Sequence, residues 1–288
     1  MSYTSPSRIV VGVDGSANSL AALDFAVREA MVRQQPLHLL AAYPRTPERP
    51  AKKPTGRADA GLCLTAHLRR VCAAWPGLVV TASNVTGDPA AHLIAASRTA
   101  SLVVVGRGQP ARPQPVGAVA AQVVAHARCP TVLVPDSSGA AEPTAVMVGL
   151  GLTPEDESAL GFAFEEASVR GLPLLAVHVW SGIPAAAVGS MSPFRYDLRE
   201  AQAAADQELS SVLAAWLSKY PGVRVEQMPL YDVDPVRTIC DASALAGLVV
   251  VGSHRHHLRS SHVLGRTTHT LLQRITCPIV VTGADQRR

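Results

Sequence analysis

The sequence predicts an α/β protein built from two tandem doubly wound units, each a five-stranded parallel sheet with helices on both faces. Three observations carry this. Residues 22–37 (ALDFAVREAMVRQQPL) and 159–174 (ALGFAFEEASVRGLPL) are identical at ten of sixteen positions. The repeat runs on in order: Trp75-Pro76-Gly77 answers Tyr220-Pro221-Gly222, Asp88-Pro89 answers Asp234-Pro235, LVVVG at 102–106 answers LVVVG at 248–252, and Cys129-Pro130 answers Cys277-Pro278. Within each copy, short apolar β-branched runs alternate with helical stretches, which implies right-handed crossovers and parallel strands.

In the first copy the strands are expected at Ile9–Val13, Leu37–Ala42, Val79–Val85, Leu102–Val105 and Thr131–Val134. In the second they are expected at Ala145–Leu150, Leu174–Val179, Val223–Leu230, Leu248–Val251 and Ile279–Val281. Several are apolar without alternation, as strands covered on both faces are. Helices are expected near 17–33, 58–74, 89–98 and 118–127, then 155–169, 198–219, 235–244 and 266–274. Asp88 and Asp234 suit helix N-caps, each with proline at the first helical position. The stretch DSSGAAEP (136–143) has linker composition, which sets domains at 1–138 and 143–283. The linker is short, so the halves should pack together. Segments 43–57 and 180–196 read as surface loops after each second strand.

Composition narrows the function. The 48% hydrophobic content suffices for buried cores, yet no apolar run is long enough to cross a bilayer, and Ile9–Val13 is too brief for a signal peptide. A cytoplasmic protein with no membrane partner is expected. The net charge of +4 is mild and the basic residues form no run interleaved with aromatics, so no nucleic-acid partner is expected. The cysteines Cys63, Cys72, Cys129, Cys240 and Cys277 include no CxxC pair and read as free thiols. His254, His256, His257, His262 and His269 crowd one stretch, but without HExxH or accompanying acidic ligands no metal site is expected. No GxxxxGK[ST], GxSxG or GxGxxG occurs, which leaves a conventional enzyme, or a flavin or nicotinamide carrier, with little support. No catalytic residue is assigned. His126, His178, Trp75, Trp180 and Trp216 read as packing residues.

Open parallel sheets bind ligands at strand C-termini where the strand order reverses. With a central first strand, that point is flanked by Gly12-Val13-Asp14-Gly15-Ser16 and the loop from Gly106, and in the second copy by Gly149–Thr153 and the loop from Gly252. VVGVDGS at 10–16, VTGDP at 85–89, LVVVG and the late glycine segment before a CP strand together resemble the universal stress protein family, over both halves. The resemblance implies a domain that pairs along its last strand, so that the two halves form an internal pseudo-dimer with strands 131–134 and 279–281 at the shared boundary. A homodimer of whole chains is a further expectation. It also implies ATP or another adenine nucleotide as ligand, held by an aspartate ending the first strand and a G-x2-G-x9-G-[ST] loop after the fourth.

The two halves depart from that pattern in opposite ways. The first keeps Asp14, but Gly117 follows Gly106 by eleven residues rather than thirteen, Gln109 replaces the middle glycine, Ala118 replaces the hydroxyl, and Pro110, Pro113 and Pro115 remove amides. The second keeps the spacing from Gly252 to Gly265, with Arg255 at the middle glycine and Arg266, Thr267 and Thr268 following, but Gly151 stands in place of the aspartate. The nucleotide candidates are therefore Gly12, Val13, Asp14, Gly106, Gly108 and Gly117, and Gly252, Arg255, Gly265, Arg266, Thr267 and Thr268. Asp14 serves equally as a ribose or adenine anchor or as an Asx-turn residue. The second loop tilts toward an anion cradle. The function expected is a non-catalytic stress protein sensing an adenine nucleotide through degenerate sites; a nucleotide-free interaction scaffold and a weak ATPase are the alternatives.

Overall fold

Ten strands form one sheet, in the spatial order β3 (Val80–Thr86), β2 (Leu37–Tyr43), β1 (Arg8–Gly12), β4 (Ala100–Gly106), β5 (Thr131–Val134), β10 (Ile279–Thr282), β9 (Leu248–Gly252), β6 (Val146–Leu150), β7 (Leu174–Trp180) and β8 (Val225–Tyr231). The computed structural model describes residues 7–43, 57–108, 116–135, 143–180, 198–253 and 265–283, the side chains of 57–62 excepted. The first half contributes β1 (Arg8–Gly12), α1 (Ala17–Arg33), β2 (Leu37–Tyr43), α2 (Arg57–Ala74), β3 (Val80–Thr86), α3 (Pro89–Ala96), β4 (Ala100–Gly106), α4 (Ala118–His126) and β5 (Thr131–Val134). The second contributes β6 (Val146–Leu150), α5 (Glu157–Arg170), β7 (Leu174–Trp180), α6 (Leu198–Lys219), β8 (Val225–Tyr231), α7 (Pro235–Ala242), β9 (Leu248–Gly252), α8 (Arg266–Arg274) and β10 (Ile279–Thr282). All ten expected strands and eight expected helices are present.

Pairing within each half is parallel, as the alternation requires. The halves join where β5 and β10 pair antiparallel, Thr131 opposite Val281 and Leu133 opposite Ile279. The pseudo-dimer is thus one continuous sheet, and the last strand of each half is an interior strand rather than an edge open to other chains.

Strand alternation divides the interior into two layers. Ile9, Val11, Leu37 and Leu39 pack with α1, α2, α5 and α6 on one face. Val10, Leu40, Val103 and Val105 pack with α3, α4, α7 and α8 on the other. Asp88 caps α3, accepting from the Ala90 and Ala91 amides at 3.3 and 3.2 Å, and Asp234 caps α7, accepting from the Arg237 amide at 3.1 Å. Trp216, Phe164 and Tyr220 stack on one another in a three-ring cluster on the first face. Trp75 departs from the packing expectation: it follows the last residue of α2 and is 41% exposed. α5 begins later than expected, at Glu157, because Pro154–Asp156 first makes a single 3-10 turn closed by Thr153 and Asp156.

A buried ionic ring marks the pseudo-two-fold axis. Where α1 and α5 meet over the central seam, Arg33 donates to Glu29 and Glu166, and Arg170 donates to Glu166 and Glu29. Both carboxylates are 1% exposed, and the guanidiniums 10% and 11%. Glu165, 54% exposed, adds a contact to Arg33 at 3.4 Å. Burial, with the neighbouring Glu166 carboxylate, pushes the Glu29 carboxyl up, against the pull of Arg33 and Arg170. The arginines are held above their ordinary value, the two carboxylates outweighing burial.

Candidate functional site

In the first half, β1 and β4 are neighbours whose connections leave in opposite directions, which opens a crevice at their C-terminal ends. A cleft of about 270 Å3 lies there. Leu40, Leu93 and Val105 form its apolar floor, Asp14 and Ser16 one rim, and Gly106, Gly108 and Gly117 the opposite wall.

The rim is shaped by the chain turning from β1 into α1. Asp14 Oδ1 accepts from the Ser16 amide at 2.9 Å, an Asx turn, and Ser16 then caps α1 by accepting from the Ser19 amide at 3.2 Å. Gly15 takes φ +82°, a left-handed conformation that the turn demands. The repeat places Leu152 there in the second half, also left-handed at φ 57°. Partial burial pushes the Asp14 carboxyl up, but the hydrogen bonds of Ser16 and Ser19 outweigh it and leave it below the ordinary aspartate value. Asp14 therefore does perform the turn role, and it lines the cleft as an ionised acceptor.

The shortened loop still delivers its glycines. The Gly117 amide donates to the Arg107 carbonyl at 2.8 Å, and a Cβ on Gly108 would lie 3.1 Å from the Gly117 Cα, so the loop's two ends close on each other. Gly106 abuts the start of α1: a Cβ there would lie 2.5 Å from the Asn18 carbonyl oxygen. Arg107 reaches away from the cleft to the Ile275 carbonyl of the other half. Gln109, Pro110, Pro113 and Pro115 lie outside the described residues. Gly12 and Val13 line the cleft beside Asp14. All six first-half candidates thus converge on one cleft.

The second half is arranged differently. Glu155 and Asp156 occupy the repeat positions of Asn18 and Ser19. The Asp156 carboxylate, 1% exposed, turns inward and accepts from the Gly151 amide at 2.9 Å and the Thr153 amide at 3.0 Å. Its other oxygen lies 3.3 Å from where a Cβ on Gly252 would stand. Thr268, also buried, donates its hydroxyl to the Gly252 carbonyl at 3.2 Å. Arg266 and Thr267 are exposed in the first turn of α8, and Gly265 is its N-cap. Arg255 and His254, His256, His257 and His262 lie outside the described residues, so the expected cradle is only partly in view. In that part, a carboxylate of the chain already takes the amides beside β6.

Sequence reasoning passed over Asn18, Glu155, Asp156 and the ionic ring. A signal for each existed: the 137-residue offset of the repeat aligns Asn18 with Glu155 and Ser19 with Asp156, and Glu-Ala-x-Val-Arg recurs at 29–33 and 166–170. Cys129 and Cys277 sit at strand entries as expected, and burial pushes their thiols up to about 12 and about 11. His178 bonds the Leu150 carbonyl at 3.0 Å and His126 the Gln122 carbonyl at 2.9 Å, both structural roles. Among the described residues, no cluster of His, Cys, Asp or Glu could hold a metal ion, and no helix is long and apolar enough to cross a membrane.

Comparison with known proteins agrees with this architecture. The universal stress protein family model matches residues 6–135 and again 144–283. A universal stress protein of Mycobacterium tuberculosis (strain ATCC 25618 / H37Rv) is 32% identical over 289 residues, covering 95% of this chain and 96% of its own. One of Mycolicibacterium smegmatis is 31% identical over 287 residues, with 95% and 96% covered. Among solved structures, a universal stress protein from Archaeoglobus fulgidus DSM 4304 superposes with a TM-score of 0.68 at 17% identity, covering 96% of this chain and 98% of that one.

Proposed function

The chain belongs to the universal stress protein family, and we propose that it is a cytoplasmic member whose first half holds one adenine nucleotide, ATP or a close relative, while the second half holds none. The observation that carries this reading is the first-half cleft of about 270 Å3, with an apolar floor for a base, an ionised Asp14 at one end and three glycines at the other. A carboxylate suits hydroxyl donors of a ribose, and glycine walls let a phosphate approach backbone amides. In the second half Asp156 already occupies amides beside β6 and adds negative charge where a phosphate would sit. That half serves as the structural partner which completes the sheet. The protein then acts through occupancy of one crevice, not through a chemical step. Free thiols at Cys63, Cys72, Cys129, Cys240 and Cys277 suit a reducing compartment.

Isothermal titration with ATP, AMP and cyclic AMP tests the proposal. One site per chain is expected, weakened by Asp14→Ala and indifferent to Arg266→Ala. Absence of heat with all three, and no nucleotide carried through purification, would refute it in favour of a nucleotide-free scaffold. Binding lost in Arg266→Ala but kept in Asp14→Ala would move the site to the second half.

A further inference from the structure

We propose that Asn18 is the residue that reads the phosphate of the nucleotide in the first crevice, a proposal that rests on the binding reading above. Asn18 is the second residue of α1 and only 6% exposed, yet its Nδ2 amide has no hydrogen-bond partner among the described residues. A buried donor left unpaired is costly and calls for an explanation, and a bound anion is one that would complete it. Asn18 lines the cleft rather than a closed core. Contact between its backbone and Gly106 fixes it at the junction of helix start and strand end, where no side chain at 106 could be accommodated.

The surroundings select an anion. α1, seventeen residues long, begins here with its helix dipole directed at the cleft. Across the cleft α4 begins at Gly117, a cap that has no side-chain hydrogen bond to offer its first-turn amides. Two helix starts and the residue that carries the unpaired carboxamide thus line one cleft, while the acidic group, Asp14, stands on the rim where a ribose hydroxyl would bind. The loop carries Ala118 where the family pattern has a hydroxyl. In the second half the same position is Glu155, followed by the buried Asp156, so a phosphate would meet like charge there. The exchange of Asn18-Ser19 for Glu155-Asp156 is what separates a phosphate-accepting crevice from a phosphate-rejecting one.

The test compares ATP with adenosine, which lacks the phosphates, by titration against the full chain and the variants Asn18→Ala and Asn18→Asp. Asn18→Ala should weaken ATP about tenfold, as expected for losing one hydrogen bond to a charged group. Asn18→Asp should weaken it about a hundredfold by adding like charge at the same position. Adenosine affinity should change by less than about twofold in both, since the hydrogen bond at issue goes to a phosphate that adenosine lacks. If Asn18→Asp fails to fold by circular dichroism, the Asn18→Ala arm decides alone. ATP affinity unchanged in every folded variant overturns this proposal while leaving the crevice intact as a nucleotide site. Parallel loss of ATP and adenosine overturns it too, by showing that Asn18 shapes the cleft as a whole. Failure of the unaltered chain to bind either ligand overturns the binding reading and this proposal with it.

Discussion

Replacing Arg170 by methionine should destabilise the protein strongly. In the intact ring two carboxylates and two guanidiniums balance, and each carboxylate is bonded by both arginines. Arg170→Met leaves Glu29 and Glu166, each 1% exposed, sharing Arg33 alone. Breaking a buried pair by removing one partner costs about 3–5 kcal/mol, because a charge is left without compensation in a medium that cannot solvate it. With an unfolding entropy of about 2.1 cal/mol/K per residue over the whole chain, that corresponds to a melting temperature lower by roughly 5–8 °C. Glu166→Gln should cost less, because Glu165 stands 3.4 Å from Arg33 and offsets part of the excess positive charge. The pH dependence has a definite sign. A carboxyl raised above its unfolded value of 4.5, as Glu29 is, retains its proton longer in the folded state, so rising pH from there upward costs stability. Loss of Arg170 raises it further, so the deficit of Arg170→Met should be larger at pH 8 than at pH 5. Urea titration at both pH values measures it. A deficit below about 1 kcal/mol at pH 8, the range of an exposed pair, would refute the claim that the ring is a buried charge balance. Replacing all four residues by leucine and methionine should be neutral or stabilising, since no charge is then left uncompensated.

Three further outcomes are expected. Gly247→Ala should cost about 1–3 kcal/mol by urea titration, because the added methyl would lie 2.2 Å from the Pro143 Cα and force the chain entering β6 to move. Asp156→Ala should cost about 1 kcal/mol in the same assay, leaving the part-buried amides of Gly151 and Thr153 without their carboxylate acceptor; a change near zero would mean that water replaces the carboxylate. In a brief iodoacetamide pulse at pH 8, read by mass spectrometry, Cys72 should label first, being exposed. Cys129 and Cys277, their thiols raised by burial to about 12 and about 11, stay protonated at that pH and should label only in denaturant.

The strands were legible because burial on both faces demands continuous apolar runs, and those runs are unambiguous at Leu102–Val105 and Leu248–Val251. Proline and aspartate punctuation made α3 and α7 legible as well. Departures occur where side chains redirect the backbone, as in the 3-10 turn that Thr153 and Asp156 close ahead of α5. In the site, the repeat and the glycines identified the crevice walls. The loop arithmetic made the first half look the more damaged, but spacing is a one-dimensional measure. The wall depends on whether Gly108 and Gly117 meet in space, and they do. Conversely, intact spacing at Gly252–Gly265 carried no information about Asp156, which reaches that crevice from the start of another element. The ionic ring lay in plain view as a repeated Glu-Ala-x-Val-Arg, but pairing the two copies requires knowing that α1 and α5 lie side by side over the seam.

The antiparallel seam between β5 and β10 makes each chain its own assembly partner. Two separate copies would find each other only at adequate concentration and would be interchangeable. Covalent tethering renders the encounter unimolecular and independent of expression level. It also ends the requirement for equality: a lone copy that pairs with itself must carry the same residues on both sides, whereas here one copy can fill its crevice with Asp156 while the other leaves room at Asn18. Lopsidedness is therefore a property the joined chain can hold in every molecule, with one crevice of each kind at a fixed ratio.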